Sequence, residues 1–128
     1  MIRGDASDFT QLAAALVGAT AAAIPVAATA MRTGTKAVET AWRGNARATS
    51  GQHGVHYPNS ITSEVRVTGM MVAGEVGPDT SRPQGSMGRG FEFGSVNQPP
   101  HLDGAKAVDA SEAAIEVALG RVVGTVIP

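Results

Sequence analysis

Three histidines are the side chains best suited to chemistry in this sequence. His53 and His56 lie three residues apart, and His101 stands far downstream. Neutral imidazoles at that spacing can share a metal ion, with His101 folding back as a third ligand. The pair, however, lies in a glycine-rich connector with no Asp, Glu or Cys close by to complete the set. The pattern points instead to packing and hydrogen bonding by His56-Tyr57-Pro58 ahead of a strand. A second candidate is Gly85-Ser86-Met87-Gly88-Arg89-Gly90, which has the composition of a phosphate-cradling loop. It lacks the Gly-Lys-Ser/Thr ending and the strand–loop–helix setting such loops require. Glu75 and Asp79 flank a Gly77-Pro78 turn and do not read as an acid/base pair. No Gly-x-Ser-x-Gly elbow is present, and the chain has no cysteine. The expectation is a protein without catalytic residues, cofactor or metal.

Composition narrows the class further. The 128 residues suit one domain. Ten Lys/Arg against eleven Asp/Glu give a net charge of −1. That balance argues against a nucleic-acid binder whose affinity rests on neutralising phosphates. Aromatics make up 4% of the chain, so a core of small residues is expected. Each buried Ala contributes little beside the roughly 1.5–3 kcal/mol of a large apolar side chain, which points to oligomerisation. Residues 12–31 are apolar and Ala-rich but include Thr20, Pro25 and Thr29, and Asp5 and Asp8 precede them. Neither a secretory signal nor a membrane span is expected there.

Periodicity supplies the elements that must position these groups. Ser7 or Asp8 can cap a first helix carrying Phe9, Leu12 and Leu16 on one face. Pro25 should break or kink it. A second helix, about Val26–Arg47, has Met31, Thr35, Val38 and Trp42 on its apolar side. Arg32, Lys36, Glu39, Arg43 and Arg47 form the other, read as a solvated surface. Residues 49–59 are turn-rich. Ile61, Val65 and Val67 alternate with Thr62, Glu64, Arg66 and Thr68, and 60–77 reads as a β-hairpin turning at Gly69. A long ordered loop follows over 78–102, and a helix over 103–126. Asp109 to Glu112 fits a capping box, with Asp103 an alternative start. Ile115, Leu119, Val122 and Val126 form the expected apolar stripe. The predicted fold is one α+β domain: residues 1–48 helical, an antiparallel sheet built on the hairpin, the loop, and a C-terminal helix packed on the sheet.

The order of several short motifs resembles one family. They begin with His53-Gly54-Val55-His56-Tyr57-Pro58-Asn59-Ser60-Ile61 and continue with Val76-Gly77-Pro78-Asp79 and Gln84-Gly85-Ser86-Met87-Gly88. Glu92-Phe93-Gly94-Ser95-Val96-Asn97 and Pro99-Pro100-His101-Leu102, leading into Ala105, complete them. Together they are similar to the head–tail joining (neck or tail-completion) proteins of long-tailed double-stranded-DNA phages, closest to versions from actinobacterial phages. The resemblance spans about His53–Ala107. It implies a structural virion protein, assembled in the bacterial cytoplasm, that forms a ring of sixfold symmetry. Its partners would be head connector or stopper proteins on one side and tail terminator or tail tube proteins on the other. Genomic DNA would pass through the channel without sequence-specific binding, and no membrane is involved. A loop satisfied only against neighbouring subunits makes Arg82, Gln84, Met87, Arg89, Phe91, Glu92 and Phe93 the interface candidates, with Phe91 and Phe93 as anchors. A tail terminator capping the tube is the alternative within this class. A small nucleotide- or ligand-binding module using Gly85–Gly90 is the alternative outside it.

Overall fold

The computed structural model of the chain describes residues 14–17, 23–96 and 98–126, the first four and last two by their backbone alone. The fold class is α+β, as expected. In chain order the elements are β1 (Ala14–Val17), α1 (Ala23–Thr49), β2 (Ile61–Thr68), β3 (Met71–Pro78), α2 (Gly88–Phe93) and α3 (Asp103–Val126). Single turns of 3-10 helix occupy Gln52–Gly54, Pro58–Ser60 and Gly85–Met87.

The hairpin forms where the alternation places it. β2 and β3 pair antiparallel from Ile61 opposite Pro78 to Thr68 opposite Met71. Gly69, at φ +58°, takes the first central position of the two-residue turn, where only glycine adopts that conformation without strain. The sheet has a third strand that periodicity missed. β1 pairs antiparallel with β3, giving the order β1-β3-β2. The helix expected through Phe9, Leu12 and Leu16 is therefore corrected at Leu16, which lies in β1; Ser7, Asp8, Phe9 and Leu12 fall outside the described residues. Alanine-rich sequence has weak strand preference, and pairing with the free side of β3 overrides it.

α1 runs through Pro25 without interruption. Pro25 is the third residue of the helix, where no intrahelical acceptor awaits its missing N–H. Met31, Thr35, Val38 and Trp42 are all buried, as the spacing predicts. The opposite face is only partly a solvated surface. Glu39 is buried, and Arg43, half-buried, donates from Nε to the Ile61 carbonyl at 2.8 Å. The reason is layering: α1 lies between the sheet and α3, and contacts both extensively. A helix covered on two sides buries a wider arc than an amphipathic surface helix.

α3 packs on α1, and not on the sheet as expected. It begins at Asp103, so Asp109 to Glu112 form no capping box and lie within the helix. Its buried positions among the described residues are Asp103, Gly104, Ala107, Ser111 and Ala118, with Ile115 and Val122 half-buried and Leu119 exposed. The stripe is rotated from the predicted one because small residues, and not the larger aliphatics, allow close approach to α1. Gly104 lies directly against the Trp42 indole. One core cluster gathers Val38, Trp42, Ala46, Tyr57, Ile61, Val76, Phe91 and Ala107; a second gathers Ala27, Ala28, Met31 and Val72. The 78–102 segment is not a pure loop, since it contains α2 and one 3-10 turn.

Candidate functional site

The segment singled out from sequence is assembled by short-range hydrogen bonds. Asp79 Oδ1 accepts from the Ser81 amide at 2.9 Å and from its hydroxyl at 2.6 Å. These bonds, the hydroxyl first, hold the exposed Asp79 carboxyl below its ordinary range. Gly85 fits against the backbone of Asp79 so closely that an added Cβ would collide with its carbonyl. Gln84, at φ +64°, turns its amide back onto the 52–57 connector. Its Oε1 accepts the His56 amide at 2.7 Å and its Nε2 donates to the His53 carbonyl at 2.7 Å. The connector and the segment are thereby clasped together through the backbone of the two histidines, whose side chains stay exposed.

Of the seven interface candidates, the structure separates two groups. Arg82, Met87 and Arg89 are exposed; Arg82 donates to the Asn59 carbonyl at 3.2 Å and lies 3.7 Å from Asp79. Gln84 is half-buried in its clasp. Phe91 is buried within the chain, 4.6 Å centroid to centroid from Tyr57, and so is not a free anchor for a neighbour. Phe93 is half-buried and packs against the same cluster. Glu92, 1% exposed, also turns inward. The aromatics and glycines that read as an intermolecular device are spent on the interior, because Gly54 leaves just enough room for the Phe91 ring.

Sequence reasoning missed the role of Glu92. Its carboxylate accepts the amides of Gly104 at 2.9 Å and Ala105 at 3.1 Å, satisfying donors at the start of α3 that have no intrahelical partner. Burial pushes the Glu92 carboxyl above its ordinary value, with the neighbouring Asp103 charge adding to it; the hydrogen bonds from Gly104 and Ala105 oppose the shift without reversing it. Asp103 is buried too. Its Oδ2 accepts from Thr49 Oγ1 at 2.6 Å, and Asn45 Nδ2 donates to its carbonyl at 3.0 Å. His101 stacks on Phe91 and brings Nδ1 to 3.8 Å from Asp103 Oδ2. Asp103 Oδ1 has no hydrogen-bond partner among the described residues. The only sequence signal for this arrangement is a carboxylate beside each end of a Gly/Pro-rich stretch that leads into a helix.

Chemically, this junction is a structural polar core. Burial, its largest influence, raises the Tyr57 hydroxyl well above its ordinary value, and the Trp42 indole is its polar neighbour. Neither side chain offers a nucleophile beside a base. Among the described residues no three His, Cys, Asp or Glu side chains are grouped to hold a metal ion, and His101 stacks on Phe91. No described helix is long and apolar enough to cross a membrane.

Two surfaces stand uncovered among the described residues. On α3, Val123 is 52% exposed one turn beyond Leu119, and Val117, 60% exposed, lies on the other flank of the helix. On the sheet, the face turned from α1 carries Glu64 directly opposite Glu75. Arg66 lies between them, 2.9 Å from Glu75 and 3.6 Å from Glu64, which offsets a like-charge cross-strand pair. Comparison with protein-family models, with curated proteins and with solved structures finds no match.

Proposed function

We propose that this chain is a structural subunit of a phage neck: a head–tail joining protein that assembles into a ring, sixfold by the family resemblance, around a DNA channel. The observation that carries the reading is the set of exposed aliphatic side chains on α3. Val117, Leu119 and Val123 stand in solvent on a helix whose opposite side rests on α1. Leu119 and Val123, one turn apart, are neighbours on one flank of the helix, and Val117 stands on the other; exposed apolar side chains grouped on one element can mark contact surfaces. A subunit completed by its neighbours accounts for them, and the near-neutral charge suits a conduit that must not retain DNA. The buried polar groups serve the fold, leaving exposed surface and not a reactive pocket as the working part of the molecule. Closed rings arise when head-to-tail contacts rotate into register.

A tail terminator would present the same kind of surface, and the two neck positions differ in what lies above and below the ring. Nothing favours a nucleotide module, because the Gly85–Gly90 run is folded against Asp79 and forms a 3-10 turn and the first half of a helix of only six residues. Cryo-electron microscopy of the neck of a virion encoding this chain tests the proposal, with Val117→Asp and Val123→Asp as companions. Ring density fitting this fold, and tailless particles from the variants, are the expected results. Normal virions from both variants, or a neck without this chain, would overturn it.

A further inference from the structure

We propose that two free copies of this chain pair edge to edge through β2, antiparallel about a two-fold axis at Val65. β2 is an outer strand of the sheet. In an antiparallel ladder, alternate residues exchange both backbone hydrogen bonds with the partner strand, and those between direct both groups away. The Asp79 amide donates to the Ser60 carbonyl at 2.8 Å, which sets the phase. Thr62, Glu64, Arg66 and Thr68 therefore bond to β3, whereas Ile61, Ser63, Val65 and Val67 turn their N–H and C=O groups outward. Arg43 takes the Ile61 carbonyl. The outward groups of Ser63, Val65 and Val67 meet no backbone or side-chain partner among the described residues. The strand has no proline and no lysine, two devices that blunt such edges.

The occupant is identified by the side chains. Only registers that oppose odd-numbered residues of both copies can use the outward groups. One residue out in either direction, Glu64 would face Glu64, or Arg66 would face Arg66. Centred on Val65, Glu64 of each copy faces Arg66 of the other on the open side of the sheet. On the α1 side Val65 faces Val65, and the exposed Val67 is covered against Ser63. The strand is thus complementary to itself in charge, and an isologous contact requires that property. A groove of about 370 Å³ runs between α1 and this edge, lined by Arg32, Thr35 and Lys36 opposite Ser63, Glu64 and Val65. Of its two cations, Lys36 is paired with Glu39, and Arg32 is exposed enough to reach solvent. The two-fold pairing closes on itself, so it is separate from the head-to-tail contacts of a ring and does not depend on the neck reading. It would cover an edge that otherwise invites uncontrolled association.

Sedimentation velocity of the full chain over a micromolar concentration series is the test, with circular dichroism to verify folding. A monomer–dimer equilibrium is expected. Glu64→Arg and Arg66→Glu should each weaken it on the order of tenfold, since the axis counts every reversal twice. The double variant Glu64→Arg/Arg66→Glu should recover association to within a few-fold of the parent. Val65→Pro removes an outward N–H without touching the β3 ladder, and should leave a folded monomer. A parent that is monomeric throughout, a dimer indifferent to these changes, or a double variant that fails to recover would each overturn the pairing. A parent that goes directly from monomer to hexamer with no dimer, unchanged in Val65→Pro, would overturn the pairing while leaving the ring intact.

Discussion

Glu92 Oε1 accepts the Gly104 amide at 2.9 Å, so the last turn of α2 supplies the cap for the first turn of α3. Two backbone bonds run alongside: the His101 amide to the Phe91 carbonyl at 2.8 Å and the Leu102 amide to the Glu92 carbonyl at 3.1 Å. The intervening stretch is closed at its base by this ladder. Among its described residues Gly94 and Leu102 have positive φ.

Removing the cap should loosen α3 at its start before the rest of the fold. Glu92→Ala leaves the Gly104 and Ala105 amides unmatched and should cost about 1–3 kcal/mol. Urea denaturation gives the total, and hydrogen exchange should show those two amides losing protection first. An unchanged midpoint with unchanged exchange would contradict the assignment.

Two carboxyls should shape stability in different pH windows. Glu92 has a raised value when folded, so the native state holds the proton more tightly, and its contribution declines as pH rises above the ordinary 4.5. Glu39 behaves oppositely. Burial pushes it up, but Lys36, Arg43 and Ser63 together hold it below 4.5. Its contribution is full above that value and lost as pH falls through the lowered one. Denaturation midpoints measured from acid to neutral pH should lose the upper slope in Glu92→Gln and the lower slope in Glu39→Gln. The reverse pattern would be inconsistent with both directions.

The α1–α3 contact should be intolerant of one methyl group. A Cβ at Gly104 would stand 2.7 Å from Trp42 Cζ2, and the indole is locked in the core with no exposed surface. Gly104→Ala should cost about 1–3 kcal/mol through overpacking. A shift in Trp42 fluorescence should accompany the loss measured by chemical denaturation. Wild-type stability would show that the helices separate at no cost.

At Gln84, alanine and glycine should rank in an informative order. Both lose the two hydrogen bonds to the connector, a cost of about 1–2 kcal/mol. Only glycine relieves the φ of +64°. Gln84→Gly should therefore be the milder change by thermal denaturation, with the His56 amide deprotected in both. Alanine milder than glycine would mean that the left-handed conformation is not maintained.

Periodicity and turn chemistry alone determine the middle of this protein. Met31, Thr35, Val38 and Trp42 specify the buried side of α1, and Ile61 to Val67 with Gly69 specify the hairpin, because both patterns are local. The tertiary structure decided what depends on partners distant in sequence. Ala14–Val17 became a strand because β3 had a side to offer. α3 turned Ala107, Ala118 and Gly104 toward α1 because close helix packing outweighs the burial of Leu119. Phe91 and Glu92 went inward because Gly54 and the unpaired amides of α3 received them. A side chain's type states what it can satisfy, and only the folded neighbourhood determines which need it meets.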